Sequence, residues 1–193
     1  MEKMHGSNEN PEYGQYPEIT KEILERVKVD QDMREKDLND SEDTWDENID
    51  LQNTEAMKRV ITEIGWPTVS KVGETASRAA WLLVQHADHD PIFQQQCLDL
   101  MREQPDGEVN KIDAAYLEDR VWVKIKQKQR YGTQMQETRD AETNMNVVAY
   151  EPVPIEDEEH VNERRAALGM MPLEEYVKDI TSRYYPHLLK TEK

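Results

Sequence analysis

The sequence predicts a mainly α protein, a compact single-domain helical bundle around a buried central helix, with a small β-hairpin. Three observations lead there. Residues 76–84 are nearly all apolar, and a helix that is apolar on every side must be surrounded by other elements. Apolar residues at helical spacing recur on both sides of that segment, separated by Gly and Pro punctuation. Strand-type runs occur only near residues 131–134 and 147–150. At 193 residues the chain is long enough for one domain with a sizeable core and too short for two full ones. The expected organisation is therefore a domain over 18–185 between tails at 1–17 and 186–193.

The elements follow in order. Residues 1–17 mix Gly, Pro, Asn, Glu and Tyr without an apolar period and read as a disordered tail. Ile19, Ile23 and Val27 keep helical spacing, with Thr20 as cap, and the helix continues through Asp30, Gln31 and Arg34. The acidic stretch 37–50, with Trp45 alone in it, reads as a solvated loop. A second helix is signalled by Asn53 or Thr54 as cap, Met57, Val60, Ile61 and Ile64 as its buried stripe, and Gly65 past its end. Gly73 precedes the central helix, which runs to about Asp88. Asp90 then offers a cap and Pro91 the first position of a fourth helix carrying Ile92, Phe93, Cys97, Leu100 and Met101, before a turn at 104–107.

From 110 to 127 a helical period places Ile112, Tyr116, Asp119, Arg120 and Val123 near one stripe, although 121–125 also alternates like a strand. Residues 131–134 and 147–150 are the expected hairpin strands, joined across a polar 140–146 loop. After Pro152 and Pro154, a short helix over 157–168 closes at Gly169, and Pro172 opens the last helix through Tyr176 and Ile180.

Charge and cysteine content exclude several classes. The formal net charge is −17, from 41 acidic and 24 basic residues, so a nucleic-acid partner is not expected. Acidity of this degree keeps a protein soluble or docks it on a basic partner. Cys97 is the single cysteine, which excludes an internal disulfide and a thiolate zinc cluster and fits a reducing cytosol. The first residues lack an apolar signal core, and no stretch approaches the roughly 20 apolar residues of a membrane span. The expectation is a soluble cytoplasmic protein.

His86 follows Leu82 and Leu83 by four and three residues, so it shares their inward face at the carbonyl end of the central helix. That place suits a general base, or else a core histidine satisfied by one carbonyl. His86, Asp88, His89 and Asp90 crowd one turn, but no HExxH pair or calcium loop is present, and no metal site is assigned. Asp119 and Arg120 stand at the inward face of their helix. Buried charges need partners, so Asp119 is expected to pair with Arg164 or Arg165, or to leave one guanidinium for a carboxylate or phosphate. Tyr131 and Gln134 belong to a segment unlike any phosphate loop, and the amides of Gln85 and Gln134 suit a polar ligand. No motif names a cofactor. Cys97, on an apolar face without a neighbouring cation, reads as an inert packing residue.

The ordered motifs Asp30-Gln31-Asp32-Met33-Arg34, Gly65-Trp66-Pro67, Leu83-Val84-Gln85-His86-Ala87-Asp88, Leu117-Glu118-Asp119-Arg120, Tyr131-Gly132-Thr133-Gln134 and Arg164-Arg165-Ala166-Ala167-Leu168-Gly169 resemble an uncharacterised, mainly bacterial family, a domain of unknown function. The likeness runs from about residue 19 to residue 176 and implies a shared fold. It singles out Asp30, Gln31, Arg34, Gln85, His86, Asp88, Asp119, Arg120, Tyr131, Gln134 and Arg165. The resemblance implies no activity, and the residues themselves support two functional expectations. One is a polar pocket that binds a small anionic ligand or carries out acid–base chemistry such as hydrolysis, with His86 as base, Asp119 orienting it or Arg120, and Arg165 holding an anion. The other is a non-catalytic interaction module, inhibitor or immunity-type, whose acids Asp43, Asp46, Glu47 and Asp50 gather on one face for a protein partner.

Overall fold

A computed structural model describes residues 14–39, 46–144 and 146–189. It is mainly helical with one two-stranded antiparallel sheet, as the sequence predicts. Within the span expected as one domain, the chain divides into two compact units, the first ending at Asp113 and the second beginning at Ala114.

In the first unit, helix α1 (Pro17–Asn39) reaches further than the expected Arg34 and buries Ile19, Thr20, Ile23, Asp30 and Met33 along one stripe. Thr20 is not its cap, because the helix starts before it; its hydroxyl lies 3.0 Å from the Tyr16 carbonyl and 3.1 Å from that of Val72. Helix α2 (Glu47–Ile64) begins inside the segment expected as an acidic loop, because Asp46 accepts the Asn48 N–H at 3.0 Å and caps it well ahead of Asn53. Residues 40–45, including Asp43 and Trp45, lie outside the described residues, as do 1–13 of the expected tail. The stop is where it was expected: Gly65, at φ 69°, donates its N–H to the Ile61 carbonyl.

A single turn, α3 (Val69–Val72), then leads into α4 (Glu74–Gln85), which packs against α1, α2, α3 and the following α5. Helix α4 is central, with Ala76, Ala79, Ala80, Leu83, Val84 and Gln85 buried. It is not enclosed all round, for Arg78 is exposed and Trp81 and Leu82 are half-buried. It also ends earlier than expected, with His86 as its cap and 86–90 forming a turn. Helix α5 (Pro91–Arg102) opens as predicted, with Pro91 in the first turn and the Asp90 carboxylate accepting the Phe93 N–H at 3.0 Å. Cys97 is wholly buried, and burial pushes its thiol far up, in keeping with a packing role. Helix α6 (Lys111–Lys124) contains the point at which the units divide, and 121–124 are helical rather than extended.

In the second unit, strands β1 (Met135–Arg139) and β2 (Val147–Pro152) pair antiparallel, Met135 opposite Pro152 and Glu137 opposite Tyr150. The expected first strand, 131–134, is instead a tight turn with Gly132 at φ 72°. The N–H groups of Tyr131 and Thr133 go to a carboxylate and that of Gln134 to a side-chain amide, and not to a neighbouring strand, which is why the β pattern misleads there. Gln129, fully buried, braces the root of the hairpin: its amide donates to the carbonyls of Gln134 at 2.8 Å and Val153 at 2.6 Å and accepts the Gln134 N–H at 2.8 Å. A turn of 3₁₀ helix at Glu158–His160 leads into α7 (Val161–Ala167), which is followed by α8 (Leu173–Tyr184) and a last 3₁₀ turn, Pro186–Leu189. The start of the expected C-terminal tail is therefore ordered as helix.

Candidate functional site

The first unit gathers five side chains from three helices, α1, α2 and the end of α4. Asp30 stands on the buried stripe of α1, and its carboxylate is 0 % exposed. His86, at the end of α4, brings its Nδ1 to 3.0 Å from both carboxylate oxygens. Arg34, one turn after Asp30, donates through Nη2 at 3.1 Å and through Nε at 3.2–3.3 Å, and Gln31 adds an amide N–H at 2.7 Å. The fifth group is Asp50 of α2, whose Oδ1 accepts Arg34 Nη2 at 2.7 Å.

Burial alone would raise the Asp30 carboxyl, but the hydrogen bonds from His86, Arg34 and Gln31 outweigh it and hold the group at about 2. Asp30 is thus an ionised acceptor. It accepts a hydrogen bond from Nδ1 of the imidazole, so Nδ1 carries a hydrogen and Nε2 is the ring nitrogen left for other partners. The His86 side chain is 17 % exposed, and Nε2 has no hydrogen-bond partner among the described residues. Asp50 moves the other way: burial and the neighbouring Asp30 raise it, against the pull of Arg34.

Oxygens of Asp30 and Asp50 and a ring nitrogen of His86 lie within 4.8 Å of one another, so these three residues are the ones that could hold a metal ion among those described. No metal site is evident in the sequence because the grouping crosses α1, α2 and the end of α4 and does not lie within the 86–90 turn. The Arg34 guanidinium already bonds to both carboxylates and supplies positive charge at the same place. Asp50, which the sequence suggests only for an acidic docking face, is the member of this site that sequence reasoning missed. Its signal lies in the α2 stripe, three and seven residues before the buried Asn53 and Met57, where an acid needs a partner.

The second unit uses its polar residues differently. Asp119, wholly buried on α6, accepts the backbone N–H groups of Arg130 at 2.7 Å, Tyr131 at 3.0 Å and Thr133 at 3.0 Å, together with the Thr133 hydroxyl at 3.0 Å. Its carboxylate therefore holds a turn, where the sequence reading had it orient His86 or pair with an arginine. The carboxylate that orients His86 is Asp30. Arg165, 1 % exposed, donates Nε to the Met171 carbonyl at 2.7 Å and Nη1 to that of Tyr131 at 2.6 Å, with its guanidinium 4.9 Å from the Tyr176 ring centre. These contacts tie α7 to the same turn and replace the expected anion contact. Arg164 donates to the carbonyls of Arg130, Glu156 and Asp157.

The other predicted positions fall as follows. Gln85 is buried at the end of α4, its Oε1 without a hydrogen bond among the described residues and its backbone carbonyl accepting Gln94 Nε2 at 3.2 Å. Asp88 lies in the turn after it, 3.5 Å from the same Gln94 amide. Arg120 is half-buried beside Asp119 on α6. Tyr131 and Gln134 belong to the Asp119 turn, where the Gln134 amide donates to the Thr133 hydroxyl at 3.2 Å.

Fold and site together define a mainly helical protein whose first unit carries a buried carboxylate–histidine pair braced by arginine and glutamine. A family model described as "Family of unknown function (DUF6624)" matches residues 17–188, and the chain belongs to that family. Comparisons with curated proteins and with solved structures give no match. No helix among the described residues is long and apolar enough to cross a membrane.

Proposed function

We propose that the Asp30–His86 pair is a general acid–base centre and that the protein acts on a small polar substrate by proton transfer, with hydrolysis the leading reaction class. The observation that carries this reading is the 3.0 Å contact between Nδ1 and a fully buried carboxylate, which leaves Nε2 as the free base. In the step envisaged, Nε2 accepts a proton from water or a substrate hydroxyl as that oxygen attacks. Asp30 stabilises the resulting imidazolium, and the proton is then returned to the leaving group. Arg34 and Gln31 keep the carboxylate in place; Asp50 keeps Arg34 in place.

The reading favours base chemistry over tight anion binding. Arg34 bonds to two carboxylates and Arg165 to two carbonyls, so neither guanidinium is offered to an anion. The interaction-module reading keeps the charge of −17 as its support, but Asp50 turns to Arg34 and Asp46 to the α2 start instead of joining a common acidic face.

The test is a panel of esters, amides and phosphoesters assayed with the native protein, His86→Gln and Asp30→Asn. A turnover present in the native protein should fall by about 10²–10⁴-fold in His86→Gln, the range for loss of a positioned base. Undiminished turnover in that variant, or none from the native protein on any member of the panel, would count against the proposal.

A further inference from the structure

A second site lies in the first unit and shares no residue with the His86 group. A cavity of about 410 Å³ opens between α4, the 103–110 loop and the start of α6, in the size range of small-molecule pockets. Two indoles line it, Trp66, which is 1 % exposed, and the half-buried Trp81; Met101 adds to the apolar wall. Its charged lining is Asp113, Arg78 and Glu74, a net −1 when Asp113 is ionised.

The walls are fixed by hydrogen bonds. Lys71 donates to the carbonyls of Ile64 and Trp66, the latter at 3.1 Å, and so anchors the Trp66 corner. Glu108 accepts the Ser70 N–H on its side chain at 3.0 Å and the Val69 N–H on its backbone at 3.1 Å, which clamps the loop to α3. Asp113 is the unusual member. It is only 5 % exposed, yet among the described residues it has neither a hydrogen bond nor an ion pair, and Arg78 acts on it only at a distance. Buried carboxylates ordinarily find a partner.

We propose that this cavity binds a small organic cation, an ammonium on a compact apolar skeleton, whose charge pairs with Asp113 while its carbon frame lies against the Trp66 and Trp81 indoles. An ammonium on an apolar frame suits the lining: the carboxylate gains the donor it lacks, and the indoles of Trp66 and Trp81 offer apolar, polarisable surface to the carbon frame. Burial holds the Asp113 carboxyl up at about 6 against the lowering effect of Arg78, and the arriving cation relieves that unfavourable burial. Arg78, exposed at the end of a flexible side chain, is free to swing away from the bound charge.

Calorimetric titration of the full chain with three compounds of one shape, phenethylamine as its cation, phenylethanol and phenylpropanoate, separates charge from hydrophobic fit. The cation should bind at least about tenfold more tightly than the neutral alcohol, the scale of one charge-assisted hydrogen bond, and the anion more weakly still. Asp113→Asn, a near-isosteric change whose folding is checked by circular dichroism, should lower affinity for the cation to that of the alcohol. Arg78→Ala should leave cation binding unchanged or strengthened. Binding of no probe, equal binding of alcohol and cation, or full cation affinity in Asp113→Asn would each overturn the proposal.

Discussion

Asp30 illustrates how a buried acid is kept charged. Its carboxylate receives hydrogen bonds from His86, Arg34 and Gln31, and these lower it from 3.8 to about 2 in spite of burial. Because the folded-state value lies below the unfolded one, the stabilisation is complete above the ordinary carboxylate range and is lost as pH falls from 3.8 towards 2. The shift corresponds to about 2 kcal/mol. Asp30→Asn should therefore be less stable than the native protein at neutral pH by at least about that amount, with the gap closing in acid; urea unfolding at a series of pH values measures it. A gap that does not change with pH would mean that Asp30 is not held ionised by these neighbours.

At the scale of elements, the turn 130–133 organises the second unit. Asp119 accepts three backbone N–H groups of this turn, Arg165 donates to the Tyr131 carbonyl, and Tyr176 donates to that of Thr133 at 3.0 Å, so α6, α7 and α8 all meet there. Gly132 is required twice over. Its φ of 72° is strained for other residues, and a Cβ would come within 2.6 Å of Leu173 Cδ1 and 2.9 Å of Ile155 Cδ1. Gly132→Ala is expected to destabilise by about 2 kcal/mol or more, seen as a lower melting temperature. An unchanged melting temperature would contradict the packing described.

The same turn shows what was legible in the sequence. Helices with apolar stripes and Gly or Pro ends, α2 near Gly65 and α5 after Asp90, were read with the right termini at those ends because local chemistry fixes them. Residues 131–134 look like a strand because Tyr and Thr favour one, but side-chain acceptors far along the chain claimed their N–H groups. The start of α2 was hidden by acids that suggested solvent, although one of them is its cap. At the site, His86 was legible from its helix face. Asp30 came only through the family resemblance, and Asp50 escaped because its role depends on Arg34 of another helix.

Over the whole molecule, the charge of −17 should be felt as self-repulsion, which salt screens. On the proposed reading this charge governs solubility and not recognition. Raising ionic strength should then raise the melting temperature, while turnover at His86 stays nearly flat. A binding partner whose association weakens steeply with salt would instead favour the interaction-module reading.

On the proposed reading Asp30 holds the Nδ1 proton of His86 and leaves Nε2 as the base. Nitrogen-15 NMR of the labelled imidazole tests this directly. Wherever the ring is neutral, the native protein should carry its proton on Nδ1 and none on Nε2, and Asp30→Asn should show a mixture of tautomers. A neutral ring carrying its proton on Nε2 in the native protein would contradict it.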